Sequence, residues 1–322
     1  MIAIEMKGLT KDFGALRAVN DLDLVIEESA IFSLLGPNGA GKTTTVRMLT
    51  GLLRPTIGGA KVLGLDISEN LQEIRSRVGH LTETPALYER LTVRQNLDFF
   101  AKLYKVPKTE IKSRTEEIVD LFELPEKLDE PAGSLSKGMK QKIAIARAMF
   151  HKPELIFRDD PTASLSPESA KVVREQIIKL AKKEKRTFFI CTHNLFEAER
   201  LSTRVGIINH GMLIAQGSPA ELREMRKDET VTIIRFATWE SRIKEFFEDM
   251  NIEIFEQNQD KKYVSVFIKD IEKQTPSIIN SLTMNNFQLV EVKHEFPSLE
   301  RIYLELIELE GVPRGENNME ES

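Results

Sequence analysis

The sequence has few of the features that mark secreted, membrane-spanning or nucleic-acid-binding chains. Its 322 residues include one cysteine, so a disulfide within the chain is excluded. No window approaches the roughly 18 to 20 uninterrupted apolar residues that span a bilayer, and the first residues lack the basic-then-apolar order of a signal peptide. The net charge of −5 comes from charges of both signs, without the basic block that is typical of nucleic-acid binding. We therefore expect a cytosolic chain that does not bind nucleic acid.

Apolar residues make up 41% of the chain, which is enough for one large and one smaller domain. The alternating stretch Asp21–Ile26 predicts a half-exposed strand, and the continuous run Ile31–Leu35 predicts a buried one. Further apolar strands are predicted at 155–157, 188–190 and 205–208, with an amphipathic helix over 167–183. Cys191 follows one of these strands, which favours a small core residue over a reactive thiol. Strands that alternate with helices predict an α/β fold with a mainly parallel sheet.

The pattern changes twice along the chain. From about 84 to 150, apolar residues recur at spacings of three and four, which predicts an inserted helical subdomain. The charged stretch 223–229 marks a boundary, so that one domain spans 1–222 and a second spans 230–310. The second domain has the order strand, helix, strand, strand, helix, strand, which predicts a ferredoxin-like α+β fold. Its first strand is predicted at Val231–Phe236, its two helices from about Trp239 and around Pro276, and a last helix opens at Pro297-Ser298. The tail 311–322 has too few apolar residues to fold.

A glycine-rich loop lies directly after the buried strand and before a helix. Its sequence, Gly36-Pro37-Asn38-Gly39-Ala40-Gly41-Lys42-Thr43, matches the Walker A pattern of P-loop proteins in the expected context. The glycines let successive N–H groups turn toward phosphate, Lys42 reaches the β- and γ-oxygens, and the Thr43 hydroxyl ligates Mg²⁺. The alternative is a glycine-rich turn with an unrelated lysine. The predicted nucleotide-binding residues of the loop are Gly36, Pro37, Asn38, Gly39, Ala40, Gly41, Lys42, Thr43 and Thr44.

Two further motifs follow in order. Leu135-Ser136-Lys137-Gly138-Met139-Lys140-Gln141 is followed by a helix, and a later strand ends in Asp159-Asp160-Pro161-Thr162. With these motifs the chain resembles the ABC ATPase family, a P-loop NTPase fold, from residue 1 to about 222. It looks most like the drug-export branch, which often reads YSKGMKQ at the signature motif and GYLPE at the Q-loop. Subunits of that branch also carry an extra C-terminal domain closed by a helix resembling PSLERIYLELIE.

The resemblance implies roles for individual residues. Asp159 is the Walker B carboxylate and, with Thr43 and Glu83, a Mg²⁺ ligand. Glu83 is the Q-loop residue, His193 is the switch histidine and Asp160 is the catalytic carboxylate. Ser136 and Gly138, at a helix N-terminus, would bind the ATP of a second subunit in a head-to-tail dimer.

Simpler interpretations stay open for Phe13, for the signature serine Ser136 and for His193. Phe13 stacks on adenine by the resemblance, but it is equally compatible with an ordinary packing aromatic. The signature serine could be a helix cap alone, and a histidine such as His193 is often a plain core or loop residue.

Four positions depart from the usual family pattern. Asp160 occupies the place of a glutamate, and Ser166 replaces the aspartate of the D-loop. Glu83 stands where glutamine is common, although the drug-export branch often has glutamate there. Arg158 interrupts the apolar run before Asp159, and it is either a strand-end residue directed to solvent or a functional one. The sequence thus predicts a degenerate Walker B motif and D-loop.

The sequence predicts an ATP- and Mg²⁺-dependent ATPase subunit of an ABC transporter, peripheral on the inner face of the cell membrane. Its expected partners are integral membrane subunits, contacted through the Q-loop and Leu87-Tyr88, and a second ATP-binding subunit that is identical or different. The alternative is a catalytically weak, ATP-dependent clamp or regulatory subunit.

Nonmembrane ABC proteins usually have a tandem cassette or a long coiled-coil insertion, and GTPases have an Asn-Lys-x-Asp motif. The sequence has none of these.

Overall fold

The computed structural model describes residues 1–81, 85–159, 167–224, 231–268, 270–295 and 298–311, with the backbone alone at 159, 169 and 309–311. The chain divides into two compact units, Met1–Ser218 and Pro219–Ser322. The domain bounds predicted from the sequence stay predictions. Most of the predicted boundary stretch and of the predicted disordered tail lies outside the described residues.

The first unit alternates strands with helices, as its apolar pattern predicts. Its elements are, in chain order, β1 Ile2–Phe13, β2 Leu16–Glu27, β3 Ile31–Leu35, α1 Lys42–Leu49, β4 Ile57–Val62, β5 Leu65–Asp66, α2 Leu71–Arg77, β6 Val78–Leu81, α3 Val93–Leu103, α4 Lys108–Leu121, α5 Lys137–Met149, β7 Leu155–Asp159, α6 Pro167–Lys183, β8 Thr187–Thr192, α7 Leu195–Leu201, β9 Arg204–Asn209 and β10 Met212–Gly217.

The central sheet has the strand order β10-β9-β3-β8-β7-β6. Strands β6, β7, β8, β3 and β9 run parallel, and β10 pairs antiparallel with β9. Every residue of β3 and of β8 is buried, because both faces of these strands are covered. This explains why they are continuous apolar runs. The parallel arrangement places the carboxyl ends of β3, β7 and β8 along one edge, where ligands of such sheets bind.

Side chains on the two faces of the central sheet enter different cores. On one face, Phe32, Phe157 and Phe189 pack with Val46 of α1 and with the antiparallel sheet β2-β1-β4-β5. On the other face, residues of β6, β7 and β8 pack with α5 and α6. The antiparallel sheet was not predicted beyond its strand β2. Charged and polar residues interrupt the alternation of β1, and its buried residues are irregularly spaced, so a period-two search misses it.

The predicted helical subdomain is formed by α3, α4 and α5. These helices bury Leu97, Ile118 and Ile143 in the core that they share with the sheet. Helix α3 opens with a capping box, in which the Gln95 N–H donates to Thr92 Oγ1 (3.1 Å) and the Thr92 N–H donates to Gln95 Oε1 (2.9 Å). Reciprocal bonds of this kind satisfy N–H groups that a helix start leaves without partners.

The second unit is an α+β fold. Its elements are α8 Pro219–Glu224, β11 Val231–Phe236, α9 Ile243–Asp249, β12 Ile254–Asn258, β13 Tyr263–Phe267, α10 Ile271–Met284, β14 Leu289–Glu295 and α11 Leu299–Gly311. The sheet order is β12-β13-β11-β14, and each pair is antiparallel. This is the strand order of a ferredoxin-like fold, as the element order predicts. Helix α11 contacts α8, and its Leu299 and Ile302 are buried.

The predicted starts of two helices in this unit are wrong. Helix α9 begins at Ile243 rather than near Trp239, and α10 begins at Ile271 rather than at Pro276. Proline is common at a first helical position, but here Pro276 lies inside the helix. The side chain of Asp270 accepts the N–H of Lys273 (3.1 Å) and caps α10 one turn earlier.

A chain that ends at Ser218 should keep its ATP affinity within about threefold of the full chain. The reason is that the first unit contains the glycine-rich loop and has its own two cores, and compact units of this size fold alone. Calorimetric titration of ATP into the folded truncated chain checks this. Loss of ATP binding despite native circular dichroism would show that the second unit takes part in nucleotide binding.

Candidate functional site

Two positions of the loop between β3 and α1 leave no room for a Cβ atom unless the backbone shifts. A Cβ atom on Gly36 would lie 2.4 Å from the carbonyl oxygen of Ile208, and one on Gly41 would lie 2.4 Å from the carbonyl oxygen of Ala18. Gly41 also has φ +103°, a conformation that L side chains rarely adopt. The loop backbone therefore packs directly against β2 and β9, which fixes its curvature at the N-terminus of α1.

Lys42 is the first residue of α1, and its ammonium group points back over the loop. The Nζ atom donates to the carbonyl oxygens of Gly36 (2.6 Å) and Pro37 (2.8 Å). Because Gly41 caps the helix without a side-chain acceptor and the first turn has no acidic residue, the positive end of the helix dipole adds to the lysine charge. The arrangement favours an anion over the loop.

A cavity of about 390 Å³ lies over the loop. The described residues that line it are Ala18, Asn38, Gly39, Ala40, Gly41, Lys42, Thr43, Thr44, Cys191, Thr192 and His193. Most of the predicted loop residues therefore share one cavity. His193 joins them because β3 and β8 are parallel neighbours, with Leu35 beside Thr192. The histidine is exposed, between the end of β8 and α7.

The cavity wall from β2 and β8 was not predicted. Ala18 and Thr192 have no chemistry in their sequence that marks a binding site, and only the packing of the strands brings them to the loop. Cys191 is fully buried, as its apolar run predicts, and it contributes to the cavity wall. The Thr192 hydroxyl accepts the N–H of Asn194 (3.0 Å), which fixes the turn that carries His193.

The acidic residues of the predicted site are described only in part. The backbone places Asp159 at the carboxyl end of β7, beside Cys191 of β8, and thus at the sheet edge that holds the loop. Asp160, Ser166 and Glu83 lie outside the described residues. Their roles stay predictions, as does the role of Asp159 as a Mg²⁺ ligand.

Arg158 is not directed to solvent, so that interpretation was wrong. Its side chain is 1% exposed and is the largest fully buried side chain of the described residues. It lies in register between Leu81 of β6 and Ile190 of β8. Side chains alternate along a strand, so Arg158 shares its face of the sheet with Ile156, on the side covered by α5 and α6. Burial of a guanidinium costs free energy unless the group is paired. Arg158 therefore does not behave like a surface arginine that any polar residue could replace.

The signature residues lie at the N-terminus of α5. Ser136 caps this helix, and its hydroxyl accepts the N–H of Met139 (3.3 Å). Ser136 is exposed and Gly138 is half-buried, and neither is among the described residues that line the cavity. Their accessibility is compatible with contact to a ligand held by another chain. The helix-cap interpretation is also correct as far as the hydrogen bond goes, so the role in binding stays a prediction.

Phe13 lies at the end of β1, next to the turn into β2. Its side chain is 46% exposed, so it is not a core aromatic, and it is not among the described residues that line the cavity. The Nζ atom of Lys11 lies 5.2 Å from the ring centroid, at cation–π distance. Stacking on adenine stays a prediction.

The comparisons with known proteins decide the family. The family model described as ABC transporter matches residues 19–163. The chain is 38% identical over 221 residues to the ABC transporter ATP-binding protein NatA of Bacillus subtilis, covering 68% of this chain and 89% of NatA.

The chain belongs to the ABC transporter family of ATP-binding proteins. It is also 40% identical over 213 residues to the bacitracin transport ATP-binding protein BcrA of Bacillus licheniformis, covering 66% of this chain and 69% of BcrA. A solved structure of an ATP-binding subunit of an ABC transporter superposes with a TM-score of 0.64 at 29% identity, covering 70% of this chain and 93% of that chain. The predicted family and fold class are confirmed, and ABC ATPases bind and hydrolyse ATP.

Gly36→Ala should lower the free energy of unfolding by about 1 to 3 kcal/mol and weaken ATP binding. The added methyl group would meet the Ile208 carbonyl at 2.4 Å, so the loop or β9 must shift. Gly59→Ala is the matched control, because a Cβ at Gly59 meets no atom within 4 Å. Urea unfolding and ATP titration measure both effects. A Gly36→Ala chain as stable as the Gly59→Ala chain would contradict the packing of the loop.

Proposed function

We propose that this chain couples ATP binding and hydrolysis to the movement of separate membrane-spanning subunits, in an exporter. The observation that carries the proposal is the geometry of the loop between β3 and α1. A loop closed by Gly36 and Gly41, a lysine directed over it and the N-terminus of α1 surround a cavity of suitable chemistry for a polyphosphate. Export is favoured because BcrA is named as a bacitracin transport protein and because the signature motif fits the drug-export branch.

The residues of the site fit Mg²⁺-ATP. Lys42 would hold the β- and γ-phosphates. The hydroxyl of the exposed residue Thr43 would ligate the ion together with Asp159, which ends β7 at the same edge of the sheet, two strands from β3. Magnesium neutralises charge that develops on the phosphates during transfer. His193 lies on the cavity wall, where its imidazole would contact the terminal phosphate. Ser136 and Gly138 would complete the site of a second, identical or related chain.

A groove on the first unit supports docking of a membrane-spanning subunit. It has a volume of about 600 Å³ and lies between α2, β6 and the end of α3. Two exposed apolar residues, Leu52 and Leu103, line this groove, and the exposed residues Phe99 and Tyr88 continue the apolar surface from Leu103. These four residues form the proposed docking surface. Phe99 and Leu103 lie on one face of α3 because residues four apart are neighbours on a helix, and the Tyr88 ring packs on Phe99 at 5.1 Å. Exposed apolar patches of this kind typically mark protein interaction sites.

A location at the cytoplasmic face of the membrane follows from this proposal. In the described part of the chain, no helix combines the length and the apolarity that crossing a bilayer requires. Under the proposal, the partner subunits hold the chain at the membrane.

Copurification from native membranes tests the proposal. An affinity-tagged chain should bring down a polytopic membrane protein, and Leu103→Ser should reduce its yield. Val25→Ser is the matched control, because Val25 is also about half exposed but lies on β2. Recovery of the chain without any membrane protein, or equal losses in both variants, would contradict the proposed coupling.

A second candidate function is a catalytically weak, ATP-dependent clamp that pairs with a more active ATPase. It is favoured by Asp160 and Ser166, which replace family carboxylates, and by the buried guanidinium of Arg158 directly before Asp159. The two candidates differ in turnover at the site formed by this chain's own Walker motifs.

A further inference from the structure

Two buried polar side chains hold the short segment Pro85–Tyr88. Arg147, near the end of α5, donates from Nη1 to the carbonyl oxygen of Ala86 (2.6 Å). Asn96 of α3 accepts the N–H of Tyr88 (2.9 Å) and donates to the carbonyl oxygen of the same residue (3.0 Å). Arg147 is 8% exposed and Asn96 is fully buried. The segment is thus bound from two different helices, although it has no regular secondary structure.

The bond from Arg147 is well placed to determine the conformation of the segment. Ala86 has φ +47°, in the left-handed region that is unfavourable for an L residue unless surrounding contacts stabilise it. The guanidinium also lies over the Phe100 ring, with Cζ 4.6 Å from the centroid, so α3, α5 and the segment meet at one side chain. Burial lowers the pKa of Arg147, which is the cost of placing the cation there.

The same segment and helix connect two surfaces. At one end, Tyr88 is exposed beside Phe99 in the proposed docking surface. At the other end, α5 runs continuously from Arg147 back to its cap Ser136, about 16 Å away at 1.5 Å per residue. Leu87 packs against the core that includes α5. Ala86 lies two residues before Tyr88, so the hydrogen bond from Arg147 links the backbone of this segment to the helix that begins at the signature residues.

We propose that Arg147 is a positioning residue that ties the segment Pro85–Tyr88 to the signature helix, so that the docking surface and Ser136 move together. The inference rests on the proposed function and adds the residue through which the partner subunit acts on the ATP site. Arg147 is not among the described residues that line the nucleotide cavity, so it acts through α5 and does not touch ATP there.

Arg147→Met tests the inference, with Arg114→Met as the matched control. Arg114 likewise donates to backbone carbonyls, those of Phe150 and Met149 (both 3.1 Å), but not to the segment. In the complex with the copurified membrane protein, Arg147→Met should lower kcat for ATP about tenfold or more, since small misplacements cost rates of this size. The Kd for ATP of the isolated full chain should stay within about twofold. Arg114→Met should leave both quantities nearly unchanged.

A double-mutant cycle with Tyr88→Ala distinguishes positioning from general destabilisation. If Arg147 acts through the segment, the double variant should be no slower than the worse single variant. Arg147→Lys keeps the charge and should recover part of the kcat that Arg147→Met loses. If Arg147→Met has a lowered Tm, the cycle is run with Arg147→Lys instead. Additive losses, an equal loss in Arg114→Met, or a parallel loss of ATP affinity would overturn the inference. Absence of a copurifying membrane protein would instead contradict the proposed function.

Discussion

Lys42→Ala should abolish ATP binding and, with it, any transport. The ammonium group already lies over the loop, 2.6 Å from the Gly36 carbonyl oxygen, and a bound polyphosphate would replace these carbonyls as its partner. Crowded β- and γ-oxygens need a cation at this position, and the described residues that line the cavity offer no second lysine or arginine. Equilibrium titration with ATP and Mg²⁺ measures the loss.

Lys61→Ala is the control for this variant, because Lys61 is an exposed lysine of the same unit and is not among the described residues of the cavity wall. Its ATP affinity should equal that of the unchanged chain. Unchanged affinity in the Lys42→Ala chain would mean that nucleotide binds elsewhere. The loop from Gly36 to Thr43 would then not be the phosphate-binding site.

Asp160→Glu should raise ATP turnover, by up to about a hundredfold. Aspartate is one methylene shorter than the glutamate of the family, which leaves its carboxylate on the order of 1 Å from where it should hold the attacking water. Ground-state binding depends on the loop and on Mg²⁺, so the Kd for ATP should change little. Turnover at saturating ATP and Mg²⁺ in the assembled complex is the measurement.

Asp160→Asn provides the comparison for this substitution. It keeps the side-chain length but removes the group that accepts a proton, so turnover should fall further. The idea fails if the unchanged chain already hydrolyses tens of ATP per second, an ordinary enzyme rate, or if Asp160→Glu has no effect. Asp160 would then be a tolerated variant in a working ATPase.

The sequence predicts the elements that carry strong local signals. The loop from Gly36 to Thr43 is predicted because its chemistry requires glycines and a lysine at fixed spacing between a strand and a helix. Strand β11 has the predicted bounds because its β-branched and aromatic residues follow directly on the charged stretch 223–229. Helix α10 was started too late because Pro276 is a stronger signal in sequence than the capping carboxylate of Asp270.

Features that depend on long-range packing could not be predicted. The cavity wall at Ala18 is formed only when β2 comes against the loop, and Ala18 has no side-chain chemistry to reveal it. Arg158 looks like a strand-end cation in sequence, but it is enclosed because α5 and α6 cover that face of β7. The bond from Arg147 to Ala86 joins residues 61 positions apart, which no local pattern indicates.

The most direct test of the central claim compares ATP turnover by the full chain alone and in complex with the membrane protein that copurifies with it. If this chain is the ATP-binding subunit that moves membrane-spanning partners, turnover should depend on the complex and differ several-fold from that of the isolated chain. It should also disappear with Lys42→Ala. Turnover that is the same with and without the membrane protein, or that survives Lys42→Ala, would contradict the account.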